Sequence, residues 1–128
     1  MNACQKGKRG EREWRDELKR FGLTEARRGR QFSGSDESPD VVGGWPGTHC
    51  EVKRVEKLNI DKAMDQAIRD ADGKFIPYVA HRRNNKPWLI TLRVEDLIAF
   101  AHMVVQQNVR QAKTFVGPTD FKFSEPVC

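Results

Sequence analysis

The sequence has no apolar run long enough to cross a membrane, and its first residues contain no apolar segment typical of a signal peptide. Cysteine is scarce: Cys4, Cys50 and Cys128 are scattered and show no CxxC spacing. Three such cysteines cannot all pair with one another, so neither a disulfide framework nor a structural zinc site is indicated. We therefore expect a protein of a reducing compartment, the cytoplasm.

Charge is abundant but unevenly placed. Of the 128 residues 32% are charged and 38% are apolar, which is typical of a globular protein, and the length predicts a single domain over residues 1–128. Residues 1–30 contain ten Lys or Arg against five Asp or Glu, a surplus equal to the net charge of +5 of the whole chain. A basic N-terminal third indicates a polyanionic partner, most commonly nucleic acid, although a basic surface that only aids solubility is an alternative.

Apolar periodicity divides the chain into helices and strands. Residues 1–9 are polar and are predicted to form a flexible basic arm, and residues 113–128 are predicted to form a C-terminal tail. The predicted elements are helices over about 10–21, 59–73 and 94–112, extended segments over 23–30, 75–80 and 88–92, and a hairpin over 39–54. Their order (helix, strand, hairpin, helix, strand, strand, helix) predicts an α/β fold.

The sequence also predicts which side chains of the first and last helices face the core. In the first helix Glu11 shares the stripe of Trp14, whereas Glu13 faces away from it. A carboxylate on the core side needs a cation or a metal as its partner, unless it only complements the helix dipole. The residues of the last helix expected to face inward are Leu97, Ile98, Ala101, Val104 and Val105.

The stretch over residues 39–54 carries most of the candidate chemistry. Asp40 precedes its first strand, and side-chain alternation along the second strand places Glu51 and Lys53 on one face. If the two strands pair as a hairpin, both carboxylates and the ammonium lie close together. Such a group can bind Mg²⁺ with a phosphate beside it, whereas the bland alternative is a surface hairpin with an incidental ion pair.

This stretch resembles a nuclease signature. Pro39-Asp40-Val41-Val42 followed by Glu51-Val52-Lys53 is similar to the Pro-Asp…(Asp/Glu)-x-Lys pattern of the restriction-endonuclease-like nucleases. Upstream, Lys6-Gly7-Lys8-Arg9-Gly10-Glu11-Arg12-Glu13 resembles the Lys-Gly-x-x-x-Glu-Arg-Glu opening of the archaeal-type Holliday junction resolvases. The resemblance runs in order from Lys6 to Lys53 and more loosely to about residue 100. The chain departs from the family in a longer, more acidic loop before Asp40 and in its C-terminal part.

The resemblance implies a mixed β-sheet flanked by helices, as in restriction endonucleases. It also implies a metal-dependent, structure-specific DNA endonuclease that resolves four-way junctions in DNA recombination and repair. Mg²⁺ is the implied cofactor, with Mn²⁺ as a substitute. The implied metal-site groups are the carboxylates of Glu11, Asp40 and Glu51 and the carbonyl of Val52. The implied catalytic residues are these three acids with Lys53, Arg12 and Arg27. The lysine is implied to position the water or to stabilise charge on the phosphate, and the arginines are implied to bind the phosphate. For Arg12 the alternative is a solvated helix residue.

Further residues are expected around this site. The residues expected to bind the DNA backbone are Lys6, Lys8, Arg9, Arg28 and Arg30. A homodimer is implied, and the candidates for its surface are Phe100, Met103, Phe115 and Phe121, although each of these is more often an ordinary core residue. His49 is expected at the edge of the site. Gln66 is expected on the polar face of its helix rather than at the site, although related nucleases sometimes carry a site glutamine there. The alternatives are a related nuclease acting on flaps, nicks or duplex DNA, and a catalytically inactive nucleic-acid-binding module.

Overall fold

The structure, a computed structural model, describes residues 3–29 and 39–112. Its elements are α1 (Ala3–Arg20), β1 (Arg27–Arg28), β2 (Val41–Val42), β3 (Thr48–Arg54), α2 (Ile60–Ala71), β4 (Ile76–Arg82), β5 (Leu89–Leu92), a short 3₁₀ turn (Val94–Asp96) and α3 (Leu97–Ala112). The predicted mixed α/β class is confirmed. The predicted tail over residues 113–128 lies outside the described residues. No helix in the described ranges combines the length and apolar character needed to span a lipid bilayer.

The first helix is longer than predicted. Because α1 begins at Ala3, the prediction of a flexible arm is wrong for residues 3–9. Most residues of this segment are good helix formers, and adding a turn to an existing helix costs far less than starting one. Arg9 and Glu13, one turn apart, also form an ion pair of 3.0 Å that links the added segment to the rest of α1.

The predicted hairpin is wrong in its pairing. β2 pairs with β1 in an antiparallel ribbon, whereas β3 pairs in parallel with β4, which pairs antiparallel with β5. The chain turns at Gly43, where φ is +78° and a Cβ would lie 2.3 Å from the carbonyl oxygen of Glu25, so only glycine fits there. The Asp40 backbone N–H still donates to the Cys50 carbonyl at 3.2 Å. Asp40 therefore lies beside β3, as the hairpin had implied.

An aromatic core holds α1 against the sheet. Trp14 contacts Trp45 and Tyr78, with ring centroids 6.4 and 6.3 Å apart, and its Nε1 donates to the Tyr78 hydroxyl at 3.3 Å. Leu18 is fully buried one turn later. These contacts orient α1, and with it the acidic side chains of its middle turns.

The second helix agrees with its sequence pattern. The side chain of Asn59 accepts a hydrogen bond of 3.1 Å from the Lys62 backbone and so caps α2, as predicted. The small side chains of Ala63 and Ala67 then pack against Val79 of β4. Close packing of alanines brings the α2 backbone near the sheet, so longer side chains on its flank reach the neighbouring strand.

The third helix presents a different face from the predicted one. Phe100 packs into the aromatic core with its ring 5.3 Å from Tyr78, whereas Ile98 is 80% exposed and Leu97 and Val105 are also exposed. Phe100 is therefore a core residue and not a dimer surface, and Met103 lies against Gly47. The other two predicted dimer residues, Phe115 and Phe121, lie outside the described residues. Since α3 has apolar side chains on more than one face, its sequence pattern alone did not identify the buried one.

The close approach of α1 to β3 gives a prediction about Gly10. A Cβ at Gly10 would lie 2.6 Å from the Cβ of Arg54, so Gly10→Ala must push the helix from the strand. We expect a loss of about 1–3 kcal/mol in the free energy of unfolding, although alanine is the better helix former. A Cβ at Gly7 of the same helix would meet no atom within 4 Å, so Gly7→Ala should instead gain up to about 1 kcal/mol. Urea denaturation of both variants measures the difference, and equal effects would refute the tight contact.

Candidate active site

A polar cleft of about 300 Å³ opens where α1, β3 and α2 meet. Its lining residues are Lys6, Gly7, Glu11, Asp40, Glu51, Val52, Lys53, Arg54, Val55 and Gln66. The three acids and the lysine predicted from the sequence thus lie in one cleft, although they come from separate parts of the chain.

Asp40 is held by the backbone of β3. The residue is only 4% exposed, and its Oδ2 accepts a hydrogen bond of 2.8 Å from the Val52 N–H. A hydrogen bond from a backbone N–H to a carboxylate is shorter and stronger than one between neutral groups. The Asp40 carboxylate is therefore fixed in position relative to the next acid of the motif, Glu51.

Glu51 and Lys53 share one face of β3, as the alternation predicted. The Lys53 Nζ lies 3.5 Å from the Glu51 Oε1, while Cys50 and Val52 point into the core. Burial, with the charge of Asp40 and a hydrogen bond to its carboxyl, raises the pKa of Glu51 to about 7, and Lys53 opposes that shift. The proximity of the two buried carboxyls is therefore unfavourable when both are ionised.

This donor set suits a hard divalent cation. Carboxylate oxygens and backbone carbonyls are the ligands that Mg²⁺ and Mn²⁺ accept, and a cation would relieve the repulsion between Asp40 and Glu51. By contrast, the buried Cys50 thiol has a pKa raised to about 12, by burial first and by Asp40 second, so it does not offer a thiolate.

Glu11 has a cationic partner, as its core-facing position requires. The residue is buried, and its Oε1 lies 2.9 Å from the Nε of Arg28. Among the described residues, one group of three His, Cys, Asp or Glu residues has ligating atoms that all lie within 4.8 Å of one another. This group is His49, Glu51 and Asp70, and it does not include Glu11. Glu11 therefore lines the cleft as one half of an ion pair with Arg28.

The structure gives the two neighbouring arginines of β1 different surroundings. Arg27, predicted to be catalytic, is exposed and donates from Nη1 to the Glu25 carbonyl at 3.3 Å. Arg28, predicted to bind the DNA backbone, is mostly buried on Glu11 instead. Because adjacent residues of a strand point to opposite faces, Arg28 faces Glu11 and Arg27 does not. Arg12, the other predicted catalytic arginine, is exposed on α1.

Three of the predicted DNA-binding residues lie in the first turns of α1. Lys6 lines the cleft and Lys8 is exposed, whereas Arg9 is engaged by Glu13 at 3.0 Å. Arg30 lies outside the described residues. Of those that the structure describes, Lys6 is the one that lines the cleft.

Sequence reasoning missed two contributors and favoured the wrong one of two positions for a third. Gln66, which was expected on the polar face rather than at the site, lines the cleft, and Asp70 lies one turn further along α2. Their i, i+4 spacing was the available signal that the two share a helix face. Glu13 accepts hydrogen bonds from Arg54 at 3.0 Å and from Arg82 at 3.1 Å, contacts that no local pattern predicts.

A second cavity, of about 490 Å³, adjoins the first. Val55 lines both cavities. The second also contains the basic side chains of Arg82, Arg83 and Lys86, at the ends of β4 and of the turn that follows it. This second cavity, called the basic groove below, therefore lies next to the carboxylate cleft, although Glu56 and several apolar residues also line it.

Comparison with known proteins gave a structural similarity. No family model matches the sequence, and no curated protein matches it either. Among solved structures, the chain is similar to Hjc of Archaeoglobus fulgidus, a Holliday junction resolvase from an archaeal hyperthermophile, with 26% sequence identity and a TM-score of 0.48. The match covers 68% of this chain and 72% of that one.

Proposed function

We propose that this protein is a metal-dependent, structure-specific DNA endonuclease that resolves four-way junctions by paired phosphodiester hydrolysis. The observation that carries the proposal is the convergence of Glu11, Asp40, Glu51 and Lys53 in one cleft, in the order of the resolvase motifs. Three acids and a lysine brought together from α1, the start of β2 and β3 are more specific than the short central motif alone.

The residues of the cleft divide the work of phosphodiester hydrolysis. Asp40, Glu51 and the Val52 carbonyl, with Glu11 beside them, would hold Mg²⁺ or Mn²⁺, which supplies Lewis acidity and an activated water when bound. Lys53, anchored by Glu51 at 3.5 Å, is placed to orient that water or to stabilise charge on the phosphate. The basic groove beyond Val55, with Lys6 and Lys8, would bind the DNA backbone without reading bases.

We give the more important arginine role to Arg28, whose Nε lies 2.9 Å from the Glu11 carboxylate. We expect Arg28→Ala to reduce cleavage at least about tenfold, because it removes the cation that holds Glu11 and leaves that carboxylate buried and unpaired. The adjacent Arg27→Ala should mainly weaken DNA affinity, since its side chain is exposed. Single-turnover cleavage rates with saturating enzyme separate the two effects. A larger rate loss for Arg27→Ala would restore the assignment made from the sequence.

The proposal includes a homodimer. A four-way junction has approximate two-fold symmetry and needs two symmetric cuts, which a C₂ dimer supplies economically. Over residues 94–109, the large apolar side chains that are exposed are Val94, Leu97, Ile98, Val105 and Val109. A second copy would cover this surface, so Ile98→Glu should convert the dimer to a monomer in light scattering. A wild-type monomer at micromolar concentration would exclude this assembly.

The deciding experiment is cleavage of a labelled synthetic four-way junction with Mg²⁺, beside linear duplex and a flap of the same sequence. Paired symmetric nicks in the junction alone, absent with EDTA and with Glu51→Gln, are the expected result. Equal cutting of duplex or flap would instead assign a related nuclease of broader substrate range. Tight junction binding without cutting in Mg²⁺ or Mn²⁺ would assign a catalytically inactive binding module.

A further inference from the structure

His49 is a buried histidine that the proposed reaction does not use. It lies on β3 two residues before Glu51, so the two side chains project from the same face. The residue is only 2% exposed, and its Nε2 makes no hydrogen bond within the described part of the chain. A buried ring nitrogen without a partner loses its hydrogen bond to water and gains nothing in return, so such a group calls for a ligand.

Two carboxylates face this histidine from different elements. One ligating atom each from His49, Glu51 and the half-buried Asp70 of α2 lies within 4.8 Å of the other two. The Nε2 of His49 nevertheless forms no hydrogen bond to either acid in the ranges that the structure describes. Ligand atoms about 2.1 Å from a tetrahedral ion lie about 3.4 Å from one another, so side-chain rotations that move these atoms by roughly 1 Å would close the three groups around one ion.

We propose that His49, Glu51 and Asp70 form a second divalent-cation site, selective for an ion that accepts imidazole nitrogen. Zn²⁺, Co²⁺ and Mn²⁺ meet that requirement, whereas Mg²⁺ prefers oxygen ligands alone. Three protein ligands leave a coordination position for water, as in catalytic rather than structural sites. Glu51 has two carboxylate oxygens, so it can face Asp40 in the cleft and the new site at once.

The proposal goes beyond the nuclease assignment and does not depend on it. The new site needs neither DNA nor cleavage, and only Glu51 belongs to both sets of ligands. Metal uptake at His49 can therefore be measured directly, and its outcome is separate from the outcome of the junction assay.

Histidine-selective ¹⁵N NMR during Zn²⁺ titration tests the site. The chain has three histidines, and we expect stoichiometric Zn²⁺ to shift the ring nitrogens of His49 while His81 and His102 stay unchanged. His49→Ala removes a buried side chain and risks unfolding, so the main variant is Asp70→Asn. It should weaken Zn²⁺ affinity more than about tenfold. The matched control is Asp65→Asn, an exposed acid of the same helix, which should leave the affinity unchanged.

Three results would contradict the proposal. Equal shifts at all three histidines would mean adventitious surface binding, and no shift at His49 would mean that the site is absent. A His49 shift with unchanged affinity in Asp70→Asn would remove Asp70 from the site and overturn the proposal. Asp40→Asn should lose cleavage while keeping the His49 shift, which separates failure of this site from failure of the nuclease site.

Discussion

Replacing Asp40 with asparagine is expected to reduce junction cleavage at least about a thousandfold while the protein stays folded. Loss of one anionic ligand removes several kcal/mol of transition-state stabilisation, and about 4 kcal/mol corresponds to that factor in rate. The amide oxygen of asparagine can still accept the hydrogen bond that Asp40 Oδ2 accepts from Val52 at 2.8 Å. The geometry of the cleft should therefore survive.

The same substitution should stabilise the metal-free protein at neutral pH. Asp40 contributes to raising the pKa of Glu51 from 4.5 to about 7, second only to burial. A raised carboxyl pKa means that the folded state binds a proton the unfolded state does not, so this stability is complete below pH 4.5 and is lost as pH rises to about 7. The loss is on the order of 3 kcal/mol across that window, and it should shrink in Asp40→Asn.

Thermal unfolding in EDTA between pH 4.5 and 8, alongside cleavage in Mg²⁺, measures both effects. The expected signature is a dead enzyme with a higher Tm than wild type at pH 7.5 and a flatter pH dependence. A variant that cleaves within tenfold of wild type would remove Asp40 from the metal site. A dead variant with a lowered Tm would instead mean that the substitution disrupts the fold.

Removing Glu13 is expected to cost about 3 kcal/mol in the free energy of unfolding. The Glu13 carboxylate lies within 3.1 Å of nitrogens of three arginines, and one of these, Arg54, has a side chain only 6% exposed. Glu13→Ala leaves the Arg54 charge buried without its counter-ion, and breaking a buried pair on one side costs about 3–5 kcal/mol. Hydrogen bonding of Arg54 to Asn84 at 2.6 Å keeps the expected cost at the lower end.

The stability that Glu13 contributes falls as the pH falls, whereas the stability linked to Glu51 falls as the pH rises. Burial alone would raise the pKa of Glu13, but hydrogen bonds and charges from Arg54, Arg9 and Arg82 outweigh it and lower the pKa below 4.5. The stability from a lowered carboxyl pKa is present above pH 4.5 and is lost as pH falls through the folded-state value. The difference between Glu13→Ala and wild type should therefore narrow in acid.

Glu17→Ala is the matched control on the same helix. Glu17 pairs at 3.4 Å with Arg20, whose side chain is largely exposed, so its removal should cost at most about 1 kcal/mol. Urea denaturation at pH 7 and pH 4 compares the three proteins. Equal small losses for both substitutions would mean that the arginine cluster around Glu13 contributes no more than a surface pair.

Much of the site followed from local sequence alone. Alternation along β3 placed Glu51 and Lys53 on one face, because the side-chain period of a strand is fixed whatever it pairs with. The Asn59 cap and the alanines of α2 followed from helix periodicity in the same way. The proximity of Asp40 to Glu51 was also expected, although the hairpin proposed to explain it does not form.

The sequence did not predict contacts between residues that are distant along the chain. Strand pairing depends on which edge is free, so β2 joined β1 and β3 joined β4. Side-chain alternation on β1 makes Arg28, and not Arg27, the ion-pair partner of Glu11. No motif specifies this one-residue difference.

The sequence by itself determined the residue types of the cleft and the local periods that aim them. Only the tertiary structure decided which apolar face of α3 is buried, which arginine meets Glu11, and that His49 and Asp70 meet at Glu51. The physical reason is that helix and strand periods act over a few residues, whereas these contacts depend on how whole elements pack across the core.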